Sequence, residues 1–247
     1  MSKRDRNRST KPEGASGDWV YGIHAVEAAL ANARRTIRRV VALPQIAGRM
    51  RGKTHKVETI DEPTMRRLLG ADAVHQGVAA LVGPLVESGL EALLDLPPGK
   101  RLAVVLDQIT DPHNVGAILR SAAAFGADAV IMQERHSPPL TGVAAKAASG
   151  AADRLAIIRV VNIARTIGEL KDAGFTVAGL AEEAAQTMAE LKLSGDVALV
   201  LGAEGEGLRR LVRESCDVLA KLPTAPEFPS LNVSNAAAIA LYELRRQ

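Results

Sequence analysis

The apolar and polar positions divide the chain into two stretches with different rhythms. Up to residue 83 the apolar runs are short and broken by polar turns. "GIHAVEAALANA" sets Ile23, Val26, Ala29 and Leu30 on one helical face, and "RRVVAL", "KVETI" and "GVAALV" have the length and β-branched content of strands. "EPTMRRLLG" reads as a short helix opened by Pro63 and stopped by Gly70. A small α/β unit over residues 18–83 is expected. "VGPLVESGLEALLDLPPGK" then mixes a weak helical pattern with glycine and a Pro-Pro pair, which predicts a linker over residues 84–99.

From residue 100 onward, solid apolar runs alternate with helical ones: "RLAVVLD", "NVGAILRSAAAF", "AVIM", "TGVAAKAAS", "LAIIRV", "NIARTIGELKDA", "FTVAGL", "DVALVLG", "LRRLVRES" and "VLAKL", then an Ala-rich helix after Ser230. Apolar runs placed between helices mark strands covered on both faces, as in a parallel α/β sheet. There is no internal repeat.

Composition and charge refine this picture. With 247 residues, 47% of them hydrophobic, the chain can bury a sizeable core. No apolar run approaches the roughly 20 residues of a membrane span, and "MSKRDRNRSTK" lacks the apolar segment of a secretory signal, so a cytoplasmic location is expected. The single Cys216 excludes an internal disulfide and a cysteine-cluster zinc site, and reads as a small core residue. No grouping of His, Cys or carboxylates has metal-ligand spacing, so no metal is expected. The net charge of +3 is uneven: residues 1–83 carry 15 Lys+Arg against 8 Asp+Glu, net +7, and residues 84–247 carry 16 against 20, net −4. A basic first part, with "RRTIRR" and "RMRGKTHK", suits a polyanion such as RNA, although a solvated face would look the same. Residues 1–17 have almost nothing to bury and are expected to be a disordered basic tail. The aromatic content of 2% disfavours a module that stacks bases on aromatic platforms.

In an open parallel sheet, ligands bind beyond the C-terminal strand ends, so the residues after each apolar run are the informative ones. Three places stand out. In "LDQITDPHNVGAILR", Asn114 stands at a helix mouth, where a plain N-cap role would account for it, and Arg120 interrupts an otherwise small and apolar helix. In "LVLGAEGEGLRR", Gly202, Gly205 and Gly207 permit positive φ and close approach of a ligand to backbone, while Glu204 and Glu206 argue against a phosphate there. This turn is not G-x-G-x-x-G, which weakens an ordinary dinucleotide-binding reading. In "LPTAPEFPSLNVSNAAAIALYEL", Ser230, Asn232, Ser234 and Asn235 crowd a helix start that needs one cap. Such a mouth can bind an anion or orient a sugar.

Taken in order, "DPHNVGAILRSAAAFGADAVIM", "LVLGAEGEGLRR" and "LPTAPEFPSLNVSNAAAIALYEL" resemble the three motifs of the SpoU/TrmH family of RNA ribose 2′-O-methyltransferases. "VYGIHAVEAAL" and "HQGVAALV" resemble the RNA-binding domain of its RlmB-like branch, which modifies a guanosine of large-subunit (23S) ribosomal RNA, and "AKAASGAAD" is a further similarity. The resemblance implies a SPOUT-type parallel sheet over residues 100–247 whose C-terminal segment forms a deep trefoil knot, and a homodimer with the active site near the interface. It implies S-adenosyl-L-methionine held at Gly202, Leu222 and Leu231, and a catalytic set of Asn114, Arg120, Glu204, Ser230 and Asn232. Arginine holds its proton too tightly to be a ready base, so Arg120 is expected to stabilise the developing alkoxide and the adjacent phosphate; proton removal by a perturbed Arg120 is the alternative. Thr224 and Asn235 depart from residues common in the family at those places.

Three other readings compete. Transfer RNA is the alternative substrate, which the separate basic N-terminal unit disfavours. A non-catalytic RNA-binding protein on the same fold is disfavoured by joint retention of Arg120, Glu204, Ser230 and Asn232. A dinucleotide-dependent oxidoreductase lacks its glycine fingerprint.

Overall fold

The computed structural model describes residues 18–50, 55–225, 227 and 230–246. The expected tail at residues 1–17 lies outside these residues.

The first sheet comprises β1 (Asp18–Tyr21), β2 (Ile37–Ala42), β3 (Val57–Thr59) and β4 (Val78–Val82), in the order β1-β4-β2-β3. β4 runs antiparallel to both β1 and β2, and β2 is parallel to β3. Helix α1 (Ile23–Ala31) buries Ala25, Val26, Ala28 and Ala29, so the face in contact is wider than the stripe read from the sequence. Helix α2 (Pro44–Met50) packs Ala47 and Met50 into the same core. Helix α3 (Glu62–Leu69) covers the other face through Met65; Asp61 caps it by accepting from the Thr64 N–H at 3.0 Å, and Gly70 ends it.

The connecting stretch carries a short helix, α4 (Glu91–Leu94), whose Leu93 is fully buried in the core of the second sheet. The Ser88 N–H donates to the Ile157 carbonyl at 2.8 Å, and Arg101 Nη1 donates to the Leu94 carbonyl at 2.9 Å. The stretch expected as a linker is thus fastened to the second sheet.

That sheet is wholly parallel: β5 (Leu102–Leu106), β6 (Ala129–Gln133), β7 (Ala156–Val160), β8 (Thr176–Leu180), β9 (Gln186–Thr187), β10 (Val197–Leu201) and β11 (Val218–Lys221), in the order β7-β6-β5-β10-β8-β11-β9. Alternate residues of the central strands serve opposite cores. Val104, Leu106, Val130, Met132, Leu199 and Leu201 pack beneath α5 (Pro112–Ala124), α6 (Gly142–Ala148) and α9 (Val233–Arg246). Their neighbours Ala103, Val105, Ala129, Ile131, Ala198 and Val200 face α7 (Ile163–Asp172) and α8 (Arg210–Ser215). This two-sided burial is why these strands read as solid apolar runs. Between α5 and α6 the backbones come close, since a Cβ on Gly116 would lie 2.5 Å from both the Ala144 carbonyl oxygen and the Ala147 Cβ.

Candidate active site

β5 and β10 are neighbours, with Leu106 opposite Leu201, so the segments leaving their C-terminal ends meet. Asp107 prolongs the pairing, its N–H donating to the Leu201 carbonyl at 2.8 Å. Its carboxylate is fully buried and accepts from the Arg209 N–H at 3.0 Å and from Arg209 Nε at 2.8 Å. The end of β5 is thereby tied to the start of α8, which holds the glycine-rich turn 202–208 above the sheet. Sequence reasoning passed over both residues. Asp107 is visible as the polar end of "RLAVVLD", but nothing in "GLRR" separates Arg209 from Arg210.

Within the turn, Ala203 and Gly207 exchange N–H···O bonds of 3.1 and 2.9 Å, with Gly205 and Gly207 at φ of +83° and +67°. Gly202 has a structural role besides the expected one. A Cβ there would strike the backbone of Gly207 and Leu208, so the absent side chain makes room for the turn's own closure.

Asn114 also departs from its simplest role. Asp111 caps α5, accepting from the His113 N–H at 2.9 Å, with Pro112 opening the helix. Relieved of capping, the buried Asn114 donates from Nδ2 to Glu204 Oε2 at 3.3 Å and accepts at Oδ1 from Asn232 Nδ2 at 3.0 Å. Asn232 Oδ1 in turn accepts from the Ser234 N–H at 2.9 Å and from its hydroxyl at 2.6 Å. Glu204, Asn114, Asn232 and Ser234 form one polar chain drawn from segments that follow β10, β5 and β11. As Glu204 takes the amide hydrogens of Asn114, it fixes which end of that amide meets Asn232. Asn235 is exposed.

Beside this chain, the C-terminal ends of β8, β10 and β11 enclose a cavity of about 490 Å³, lined among others by Leu180, Gly202, Glu204, Leu222, Ser230 and Leu231. The volume is that of a small-molecule site, and its lining mixes apolar side chains with charged ones, Glu183, Glu206, Arg213 and Lys221 among them. Gly202, Leu222 and Leu231 therefore share one cavity, together with Glu204 and Ser230.

Arg120 is elsewhere. Six residues beyond Asn114, it leaves α5 about 240° around the axis and about 9 Å along it. It lines a second cavity of about 360 Å³ with His24, Ser149 and Arg154, is exposed, and has no side-chain partner among the described residues. Cys216 donates to the Val212 carbonyl at 3.3 Å, and burial pushes its thiol up to about 12, so it is no nucleophile at neutral pH. Among the described residues, no three His, Cys, Asp or Glu side chains group as a metal site.

The model of the SpoU rRNA Methylase family matches residues 101–242, and that of RNA 2′-O ribose methyltransferase substrate binding matches residues 19–87. The chain belongs to the SpoU rRNA methylase family. Among its relatives, the 23S rRNA (guanosine-2′-O-)-methyltransferase RlmB of Pseudomonas aeruginosa is 42% identical over 245 residues, covering 92% of this chain and 96% of that protein. The AdoMet-bound rRNA methyltransferase from Sinorhizobium meliloti has a similar structure, with a TM-score of 0.76 at 26% identity over 93% of this chain and 87% of that one. A TrmH/SpoU tRNA modifying enzyme from A. aeolicus matches with a TM-score of 0.53 at 28% identity, over 64% of this chain and 80% of that one. The SpoU resemblance read from the three motifs is borne out by these matches.

Proposed function

We propose that this SpoU family member transfers a methyl group from S-adenosyl-L-methionine to the ribose 2′-hydroxyl of a guanosine in 23S rRNA. The extent of the match carries the substrate assignment. The relative named for 23S rRNA guanosine aligns along 92% of this chain, both sheets included, whereas the tRNA modifying enzyme covers 64%.

The cofactor fits the larger cavity by its chemistry. Leu222 and Leu231 offer apolar surface for a purine, and the backbone of the turn at Gly202 offers hydrogen-bonding groups beside Glu204. Bound there, S-adenosyl-L-methionine supplies an electrophilic methyl group, which leaves the protein to activate and align a weakly acidic hydroxyl. Asn114, which Glu204 holds, and Asn232, which bonds to Asn114, orient the ribose in this reading; Ser230 supplies a hydroxyl at the cavity edge. Arg120 offers a fork of donors to the developing alkoxide and its neighbouring phosphate.

The reading includes a homodimer with the active site near its interface. It is supported by Ile239 and Tyr242, one turn apart on α9 and 43% and 50% exposed, and by Arg120 lining a cavity other than the cofactor's in its own chain. It also includes three parts, residues 18–83 for RNA, 84–99 as a connector and 100–247 for methyl transfer, the last closed by a trefoil knot. The knot is supported by the place of β11 between β8 and β9, strands that precede it in the chain. A cytoplasmic setting accords with the substrate, and no described helix is long and apolar enough to cross a membrane.

Mapping 2′-O-methylated riboses in RNA from a strain lacking the protein tests the assignment. One guanosine of 23S rRNA should lose its methyl group and regain it on incubation with the purified protein and S-adenosyl-L-methionine. Loss from a transfer RNA, with 23S rRNA unchanged, overturns it.

A further inference from the structure

The two sheets meet along a built surface. Asp153, in a single 3-10 turn (Ala151–Asp153) after α6, is buried against Arg35, with Arg35 Nε 3.7 Å from Asp153 Oδ1 and side chains 3% and 5% exposed. Asn32 Nδ2, from the end of α1, donates to the same oxygen at 3.0 Å. Gly150, at φ +88°, brings its backbone so close to α1 that a Cβ would lie 2.6 Å from the Ala28 Cβ and 2.8 Å from the His24 carbonyl oxygen. Buried charge and close backbone contact define one docked arrangement of the N-terminal unit on α6.

The 360 Å³ cavity lies at this junction: the second unit supplies most of its lining, including Arg120 from α5 and Ser149 and Arg154 from the segment after α6, and the N-terminal unit adds His24 from α1. Its polar groups are hydrogen-bond donors and cations. Most described arginines are neutralised or bonded, as in Arg39–Glu58, Arg101–Asp196, Arg159–Glu87 and Arg209–Asp107. Among the described residues, only Arg120, Arg135, Arg154 and Arg245 have guanidinium groups without a side-chain or backbone partner, and two of them open onto this cavity. The nearest acid to His24 is Glu27, 4.0 Å away, which is also held by Arg49 at 3.4 Å. Two unneutralised guanidinium groups facing one concave space call for an anion with several oxygens.

We infer that this interdomain cavity is a phosphodiester subsite for the substrate RNA, in which His24 and Arg154 hold the backbone next to the phosphate bound by Arg120. The inference rests on the methyltransferase reading above, and gives the N-terminal unit a definite task. Besides adding positive charge, it supplies His24 to the groove that carries the strand past Arg120. His24 and Arg154 are RNA-binding residues here; neither lines the cofactor cavity.

The test uses the full chain, unmodified in vitro transcribed 23S rRNA, and the variants Arg154→Ala, Arg154→Lys and His24→Ala. Arg165→Ala serves as control. It removes the same charge from an exposed position on α7, across the large sheet, where its i,i+4 pair with Glu169 contributes little. Filter binding between about 50 and 200 mM salt should show Arg154→Ala weakening RNA binding about 5- to 10-fold and lowering the salt slope by about 1. His24→Ala should weaken binding several-fold, and Arg154→Lys should keep the slope. Calorimetric affinity for S-adenosyl-L-methionine and thermal unfolding should match wild type in all of them. Arg154→Ala and His24→Ala binding RNA no worse than Arg165→Ala overturns the subsite, while wild-type protein that fails to methylate 23S rRNA overturns the underlying assignment instead.

Discussion

Arg120 and Asn114 stand six residues apart in one helix, yet the fold gives them different surroundings: Arg120 lines the smaller cavity, and Asn114 bonds to Glu204 and Asn232. Asn114 is committed to Glu204 and Asn232, whereas Arg120 has no partner to lose. Arg120→Ala should therefore leave stability and cofactor affinity unchanged and reduce single-turnover methylation by about 10²-fold or more, the usual effect of losing an electrostatic or proton-transfer group. Arg120→Lys should recover little, because an ammonium lacks the planar fork that holds two oxygens together. A near wild-type rate for Arg120→Ala at saturating RNA and cofactor removes it from the mechanism. Gly202 makes the opposite case. Since its Cβ would meet the Gly207 and Leu208 backbone, Gly202→Val should displace the whole turn, lowering the unfolding temperature as well as cofactor affinity, by about 10-fold or more. Calorimetry and thermal unfolding that both match wild type contradict this.

Among the elements, those with a clear period were legible from the sequence. Helix α1, the β5-to-α8 succession apart from β9, and the capped α3 follow from spacing and end signals. Helix α2 was passed over because "PQIAGRM" carries a proline and a glycine and has too little apolar periodicity to stand alone; burial of Ala47 and Met50 against the first sheet makes it a helix. β9, two residues long, exists only through pairing with β11. The capping of α5 by Asp111 could have been read from Asp-Pro, since proline favours the first helical turn and aspartate precedes it well. Contact between elements tests whether the N-terminal unit is docked or merely tethered. Gly150→Val forces a β-branched side chain into φ +88° and against α1, so it should separate the two units and lower RNA affinity while cofactor affinity persists. Unchanged small-angle scattering and unchanged RNA binding for Gly150→Val argue against docking.

The whole molecule responds to acid through Asp196, a buried carboxylate. Burial alone would raise Asp196, but bonds from the Arg101 side chain at 2.8 Å and from the N–H groups of Arg101 and Gly99 at 2.7 Å hold it below its ordinary value. A depressed carboxylate pKa contributes stability that is present above the unfolded-state value and is lost as pH falls through the native one. Stability should thus decline on acidification below about pH 4. Asp196→Asn should lower stability at pH 7 and flatten that decline; denaturant unfolding at both pH values, with wild-type stability and slope in the variant, refutes the assignment.

By itself the sequence determined the strands and helices with a clear period, that the second sheet is parallel and covered on both faces, and which polar residues follow its strands, because each is written in local spacing. It also carried the family through three ordered motifs. What only the tertiary structure decided is who meets whom. The order β7-β6-β5-β10-β8-β11-β9 makes neighbours of the segments bearing Asn114, Glu204 and Asn232, and docking of the first sheet brings His24 to the cavity that Arg120 and Arg154 line. Periodicity reports a residue's direction from its own helix or strand axis; strand order and interdomain packing determine which partner lies in that direction.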